Sequence, residues 1–117
     1  RNSMNIQIFG KSKCFDTRKA ERYFKERGLK AQYVDVQKYG MSAGEFRNVK
    51  QAVGGVKAMA DQGSKAFVQS GLAYNPYEAA WETALLENPA LLKTPIVRCG
   101  KQATVGYQPE IWESWRD

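Results

Sequence analysis

The order in which strand and helix patterns follow one another constrains this chain most. Residues 5–9, Asn-Ile-Gln-Ile-Phe, alternate polar and apolar side chains as a half-buried strand does, and Gly10 stops the pattern. Ala20, Tyr23 and Phe24 then fall at helical spacing, and Glu21 and Lys25 form an i,i+4 pair. Gly28 stands where a helix C-terminal cap belongs. Residues 31–36, Ala-Gln-Tyr-Val-Asp-Val, read as a second strand. This opening is strand–helix–strand, with Cys14 at or just before the start of the helix.

A helical stretch follows. Ser42-Ala43-Gly44-Glu45 has the form of a capping box, Phe46, Val49 and Val53 make the apolar stripe behind it, and Gly54-Gly55 ends that helix. Short helical turns are expected around Val56–Ala60 and Lys65–Gln69. Asn75-Pro76-Tyr77-Glu78 reads as another helix start, with Asn as cap and Pro in the first helical position. That helix should run to about Glu87 and bury Ala80, Ala84 and Leu85. Residues 95–99 and 102–105 are expected to form a hairpin about Gly100-Lys101. Gln108-Pro109 opens a last helix, which Ile111 and Trp115 would seat on the sheet. The order is β-α-β, a helical insertion over about residues 42–92, then β-β-α. This is the order of the thioredoxin fold, an α/β architecture around a mixed sheet. No repeat, low-complexity tract or linker divides it, so one domain is expected over residues 4–117, with Arg1-Asn2-Ser3 ahead of Met4 set aside as an added remnant.

Composition narrows the chemistry. A chain of 117 residues can bury roughly 65% of the surface its unfolded form exposes, enough for a core without staples. There is no His, which removes Ser-His-Asp and Cys-His catalysis and the usual zinc and iron sites. The two Cys, Cys14 and Cys99, cannot supply a Cys-only metal cluster or a disulfide framework. No bound cofactor is expected. Apolar runs fall far short of the ~20 residues that cross a bilayer, and no secretory signal is visible. The expectation is a soluble, cytoplasmic protein with no membrane partner.

Cys14 is the leading candidate for chemistry. A thiol attacks as the thiolate, and a free Cys titrates near pH ~8.5. A helix N-terminus turns backbone N–H groups toward the sulfur and favours negative charge there. Eight Lys or Arg against three acids lie between residues 11 and 30, so +5 of the chain's net +6 surrounds this Cys and would draw in an anionic substrate. Free Cys more often acts as a small buried hydrophobe. The polar flanks Lys13 and Asp16 fit a core position poorly, which favours the reactive reading.

The segment Gly10-Lys11-Ser12-Lys13-Cys14-Phe15-Asp16-Thr17-Arg18-Lys19-Ala20 resembles the Cys-x-x-x-Arg active-site segment of the ArsC/Spx/YffB-type family, the glutaredoxin-coupled arsenate reductases and their relatives. The likeness continues at Gly63-Ser64-Lys65-Ala66-Phe67, at Asn88-Pro89-Ala90-Leu91-Leu92-Lys93-Thr94-Pro95-Ile96 and at Val105-Gly106-Tyr107. It covers nearly the whole chain from Met4, with order and spacing in agreement. The resemblance implies a thioredoxin-like sheet with a helical insert, Cys14 as nucleophile, Arg18 as the motif's arginine, and a cis proline at Pro95 facing Cys14. On this reading Lys11, Lys13, Thr17, Thr94 and Pro95 line the substrate, and glutathione or a thiol–disulfide protein such as glutaredoxin is the partner.

Departures from the pattern matter as much. The family's reductases hold arsenate with several arginines, and oxyanions are best gripped by planar bidentate guanidinium groups. Where further arginines are implied, this chain has Asp61 in the insert, Thr94 before the proline and none near Val105-Gly106-Tyr107. Arg98 replaces one only if its side chain turns toward Cys14. The Spx regulators carry Cys-x-x-Cys where this chain has Thr17, so the vicinal disulfide switch is missing. Thr17 is either a plain first-turn residue or a hydroxyl partner for the thiolate.

The remaining conspicuous residues read as structural. Cys99 lies four residues past Pro95, ~13 Å along a strand, beyond the ~7 Å Cα separation a disulfide with Cys14 allows. Trp81, Trp112 and Trp115 sit on helical patterns, where packing is their use. The basic patch carries no nucleic-acid motif, so no direct nucleic-acid binding is expected. Two functions compete: a one-Cys thiol–disulfide oxidoreductase, and an Spx-like regulator that docks on RNA polymerase without a redox switch of its own.

Overall fold

The computed structural model describes residues 6–115. The first strand, β1 (Ile6–Gly10), leads through a short turn to α1 (Phe15–Glu26) and back to β2 (Ala31–Asp35). The hairpin is β3 (Ile96–Cys99) and β4 (Gln102–Val105), followed by α6 (Pro109–Ser114). Between β2 and β3 lie α2 (Val36–Tyr39), α3 (Ala43–Val53), α4 (Lys65–Ser70) and α5 (Glu78–Glu87), with single 3-10 turns at Val56–Met59, Leu72–Tyr74 and Pro89–Leu91. Among the described residues the strands form one sheet in the order β2-β1-β3-β4. β1 runs parallel to β2 and antiparallel to β3, and β3 and β4 are antiparallel. The thioredoxin-like α/β arrangement with a helical insert is therefore present. Asn5, expected to begin β1, and Arg1–Ser3, expected to be an added remnant, lie outside the described residues.

Strand alternation divides the core between the two sheet faces. Ile6, Ile8 and Val97 point to one face and pack with Ala20, Tyr23 and Phe24 of α1 and Trp112 of α6. Phe9 and Ile96 point to the other, where Phe46, Val49, Met59, Leu85 and Leu92 of the insert close over them. Full burial of a large apolar side chain stabilises by about 1.5–3 kcal/mol, so both faces are needed to hold the sheet between its helical layers. Lys50 of α3 and Glu82 of α5 meet at 2.6 Å and tie two insert helices together.

Local rules account for most boundaries. Gly28 has a positive φ just past α1, as its capping position requires. The capping box is complete: the Glu45 N–H donates to Ser42 Oγ, and the Ser42 N–H donates to Glu45 Oε1. Gly54 closes α3 in the left-handed conformation.

Four expectations are corrected. Val36 does not extend β2. It begins α2, because the Asp35 carboxylate accepts the Gln37 N–H and turns the chain, burying Val36. Asn75 accepts the Tyr77 N–H, yet α5 starts only at Glu78, so Pro76 lies outside the helix. The cap-then-proline arrangement occurs instead at Asn88-Pro89. On α5, Leu85 is buried but Ala80 and Ala84 are only half-buried, and Trp81 takes the inner position. On α6, Ile111 is exposed and Trp112 is the residue driven into the core, with Trp115 packed at its margin.

Gly10 marks the place where β1 passes closest to α1. A Cβ built there would collide with Thr17 Cγ2 and stand 2.8 Å from Thr17 Oγ1. Gly10→Ala is therefore expected to cost ~1–3 kcal/mol, the range for overpacking a tight site. Urea unfolding would show it as a lower midpoint with an unchanged slope, and an unchanged midpoint would contradict the close approach.

Candidate active site

Cys14 is the N-cap of α1, in extended backbone conformation, and its side chain is half-buried. A tight turn delivers it there: the Cys14 N–H donates to the Lys11 carbonyl at 3.1 Å. The helix's first N–H groups are thus left facing the sulfur. Across from it lies the Thr94-Pro95 bond, which is cis. The Cys14 thiol is 3.5 Å from the Thr94 carbonyl oxygen, to which it can donate. The register explains the meeting. Phe9 pairs with Ile96, so the residues just after β1 and just before β3 emerge at the same end of the sheet.

Burial alone would raise the Cys14 thiol pKa, but hydrogen bonds to the thiolate outweigh it. The Thr17 hydroxyl, the Thr94 hydroxyl and the backbone N–H groups of Thr17 and Asp16 together hold the thiol below its usual value. Thr17 Oγ1 is 1% exposed as a residue and has no ordinary hydrogen-bond partner among the described residues. A buried hydroxyl without a partner is costly, and a negatively charged sulfur is the acceptor that would satisfy it. Hydrogen bonds, rather than the dense charge of α1, lead the activation of Cys14.

The other candidate residues divide by position. Arg18 folds back over the Cys14 turn, its Nη2 donating to the Ser12 carbonyl at 3.2 Å, and remains exposed. Lys13 is exposed on the same turn. Lys11 reaches inward, with Nζ 2.9 Å from both the Ala90 and the Leu92 carbonyl oxygens. Thr94 is buried beside the sulfur. Arg98 does not turn toward Cys14; it donates to Asn48 Oδ1 and Gln7 Oε1 over the middle of the sheet. Cys99 pairs with Ile6 at the opposite end of β1, and burial pushes its thiol up.

Sequence reasoning passed over the inward role of Lys11 and the proximity of Asp61 to it. Asp61 follows the bridge between Ala60 and Leu92, and its N–H donates to the Leu91 carbonyl at 2.8 Å. Its carboxylate acts on the Lys11 ammonium. The only available signal was the pairing of an acid with a motif position where an arginine is usual.

The sequence model of the ArsC family matches residues 9–115, which include the Cys14 turn, the insert and the hairpin. The chain belongs to the ArsC family. A relative from Oceanobacillus iheyensis, a global transcriptional regulator named Spx 2, is 29% identical over 92% of this chain and 80% of its own length. Among solved structures, an arsenate reductase from Vibrio cholerae superposes with a TM-score of 0.85 at 26% identity, covering 97% of this chain and 98% of that one. An ArsC-family-related protein from Bacteroides fragilis superposes at 0.87 and 20% identity over 98% and 100%, a likeness of fold. Among the described residues, no helix of this ArsC-family chain is long and apolar enough to cross a membrane.

Proposed function

We propose that this ArsC-family protein is a thiol–disulfide exchange protein that works through Cys14 and reduces arsenate poorly. The observation that carries the reading is an activated thiol beside the Thr94-Pro95 edge, within a site short of guanidinium groups. The Cys14 thiolate attacks one sulfur of a disulfide such as oxidised glutathione. A bond forms between Cys14 Sγ and that sulfur, the original S–S bond breaks, and the leaving thiolate carries off the electron pair and takes a proton from water. A second thiol, glutathione or a glutaredoxin, attacks the mixed disulfide and regenerates Cys14. The Pro95 carbonyl is taken by the Gly106 N–H, so the backbone of Thr94, just before the cis bond and against Cys14, is the edge that aligns an extended thiol-bearing partner by strand-like pairing.

Arsenate demands more. Arg18 is the one arginine retained from the family pattern; Asp61 and Thr94 stand where others are implied, and Arg98 is engaged elsewhere. The test is incubation with oxidised glutathione and mass spectrometry of the intact protein. One glutathione adduct is expected on wild type and on Cys99→Ser, and none on Cys14→Ser. An adduct that persists in Cys14→Ser, or none in wild type, would overturn the reading.

The relative named as a transcriptional regulator favours a second reading, an Spx-like protein that binds RNA polymerase. Thr17 is buried where the second Cys of a redox switch would stand, so that binding would not depend on Cys14. Equal retention of wild type and Cys14→Ser on immobilised polymerase, with no adduct formed, would favour it over exchange.

A further inference from the structure

Lys11 is a poor candidate for touching substrate. Its ammonium is half-buried, and two of its three N–H groups are directed to the Ala90 and Leu92 carbonyls, residues 79 and 81 positions away. Its own carbonyl accepts the Cys14 N–H, so the residue grips Cys14 through its backbone and the facing segment through its side chain. That facing segment is held from the other side as well. The Asp61 N–H donates to the Leu91 carbonyl and the Lys93 N–H to the Met59 carbonyl, each at 2.8 Å, on either side of the Ala60–Leu92 bridge. Two residues past Leu92 is Thr94, whose carbonyl lies against Cys14 Sγ.

We propose that Lys11 is a positioning residue: it latches the Cys14 turn to the Ala90–Pro95 segment. The inference rests on Cys14 being the exchange nucleophile. The latch sets the distance between the sulfur and the Thr94 backbone edge, on which alignment of an incoming disulfide depends. Burial lowers the Lys11 pKa, and Asp61 first, then Cys14, oppose that by favouring the ammonium. The other groups around Cys14 are Arg18, turned to the Ser12 carbonyl, Lys13 and Asp16 on its own turn and helix, and the Tyr33 phenol of β2, neutral below pH ~10.

The test compares wild type, Lys11→Met and Lys11→Arg, all in Cys99→Ser, by two rates at Cys14. One is adduct formation with oxidised glutathione, which needs alignment; the other is iodoacetamide alkylation across pH, which does not. Lys11→Met is expected to slow adduct formation ~10-fold or more while alkylation at pH 10 stays within ~2-fold of wild type. Lys11→Arg, which keeps the charge and the donors, should recover most of the loss. Equal adduct rates in Lys11→Met and wild type would overturn the latch. A loss in Lys11→Met that alkylation at pH 10 shares, or that Lys11→Arg does not repair, would mark a merely structural lysine and overturn it too. Failure of the wild-type protein to form the adduct would instead remove the exchange reading on which the inference stands.

Discussion

Trp112→Ala is expected to leave the protein at the edge of unfolding. The indole is fully buried on the α1 face of the sheet, with ring centroids of Tyr23, Phe24 and Tyr107 between 5.1 and 5.5 Å away. Its Nε1–H donates to Thr104 Oγ1 of β4 at 2.7 Å, so one side chain fastens α6 to both α1 and the hairpin. Removing a buried Trp costs ~3–5 kcal/mol, against a total stability of about 5–15 kcal/mol for a domain. Trp112→Phe separates the two contributions. It keeps most of the apolar contact but leaves the buried Thr104 hydroxyl without its partner, a loss of ~1–3 kcal/mol. Urea titration followed by far-ultraviolet circular dichroism should rank wild type, Trp112→Phe and Trp112→Ala in that order. A Trp112→Ala midpoint equal to wild type would show that α6 is not held by this residue.

The Trp112 result bears on what could be read from sequence alone. The last helix was legible as a helix, because Gln108-Pro109 is a strong start signal. Its buried face was not, because six residues give no second turn to define a period. Ile111 and Trp115 are spaced as a pair, yet the chain direction after the hairpin turns Trp112 inward. The same limit applies at Asn75, where a good local cap signal is outweighed by how the insert packs. By contrast the Ser42–Glu45 capping box and the Gly28 and Gly54 caps follow from short-range hydrogen bonding and backbone sterics, and they stand where expected. For the site, Cys14 at a helix start was legible from the residues around it, and the cis Thr94-Pro95 bond only through the family resemblance. The roles of Lys11 and Asp61 were not, since they depend on contacts across some fifty and eighty residues of chain that only the folded insert brings together.

The second large effect concerns arsenate. Turnover by the wild-type protein, assayed with arsenate, glutathione and glutaredoxin, is expected to stay near background. Each missing charged hydrogen bond to a bound anion costs ~1.5–3 kcal/mol. Two such losses, at Asp61 and Thr94, amount to two or more decades at ~1.4 kcal/mol per decade. Asp61 also brings a negative charge within electrostatic reach of the Lys11 ammonium, where an arginine would bring a positive one. Asp61→Arg reverses that charge and adds a guanidinium, and should raise arsenate turnover ~10-fold. Robust wild-type turnover that is lost in Cys14→Ser would mean that the oxyanion is held by groups other than those assigned here.

Cys14 as an activated thiolate underlies both the exchange chemistry and the roles given to Thr17, Thr94 and Lys11. The most direct measurement is the pH dependence of Cys14 alkylation in Cys99→Ser, read as the midpoint of the rate profile, because nucleophilicity itself falls with thiol pKa. Hydrogen bonds from Thr17, Thr94 and the first N–H groups of α1 outweigh the cost of burial, so the thiolate fraction should rise at lower pH than in a free thiol. The predicted result is a midpoint clearly below pH ~8.5, moved upward in Thr17→Val. A midpoint at or above ~8.5 would contradict the account, because Cys14 would then be an ordinary thiol at the end of a helix.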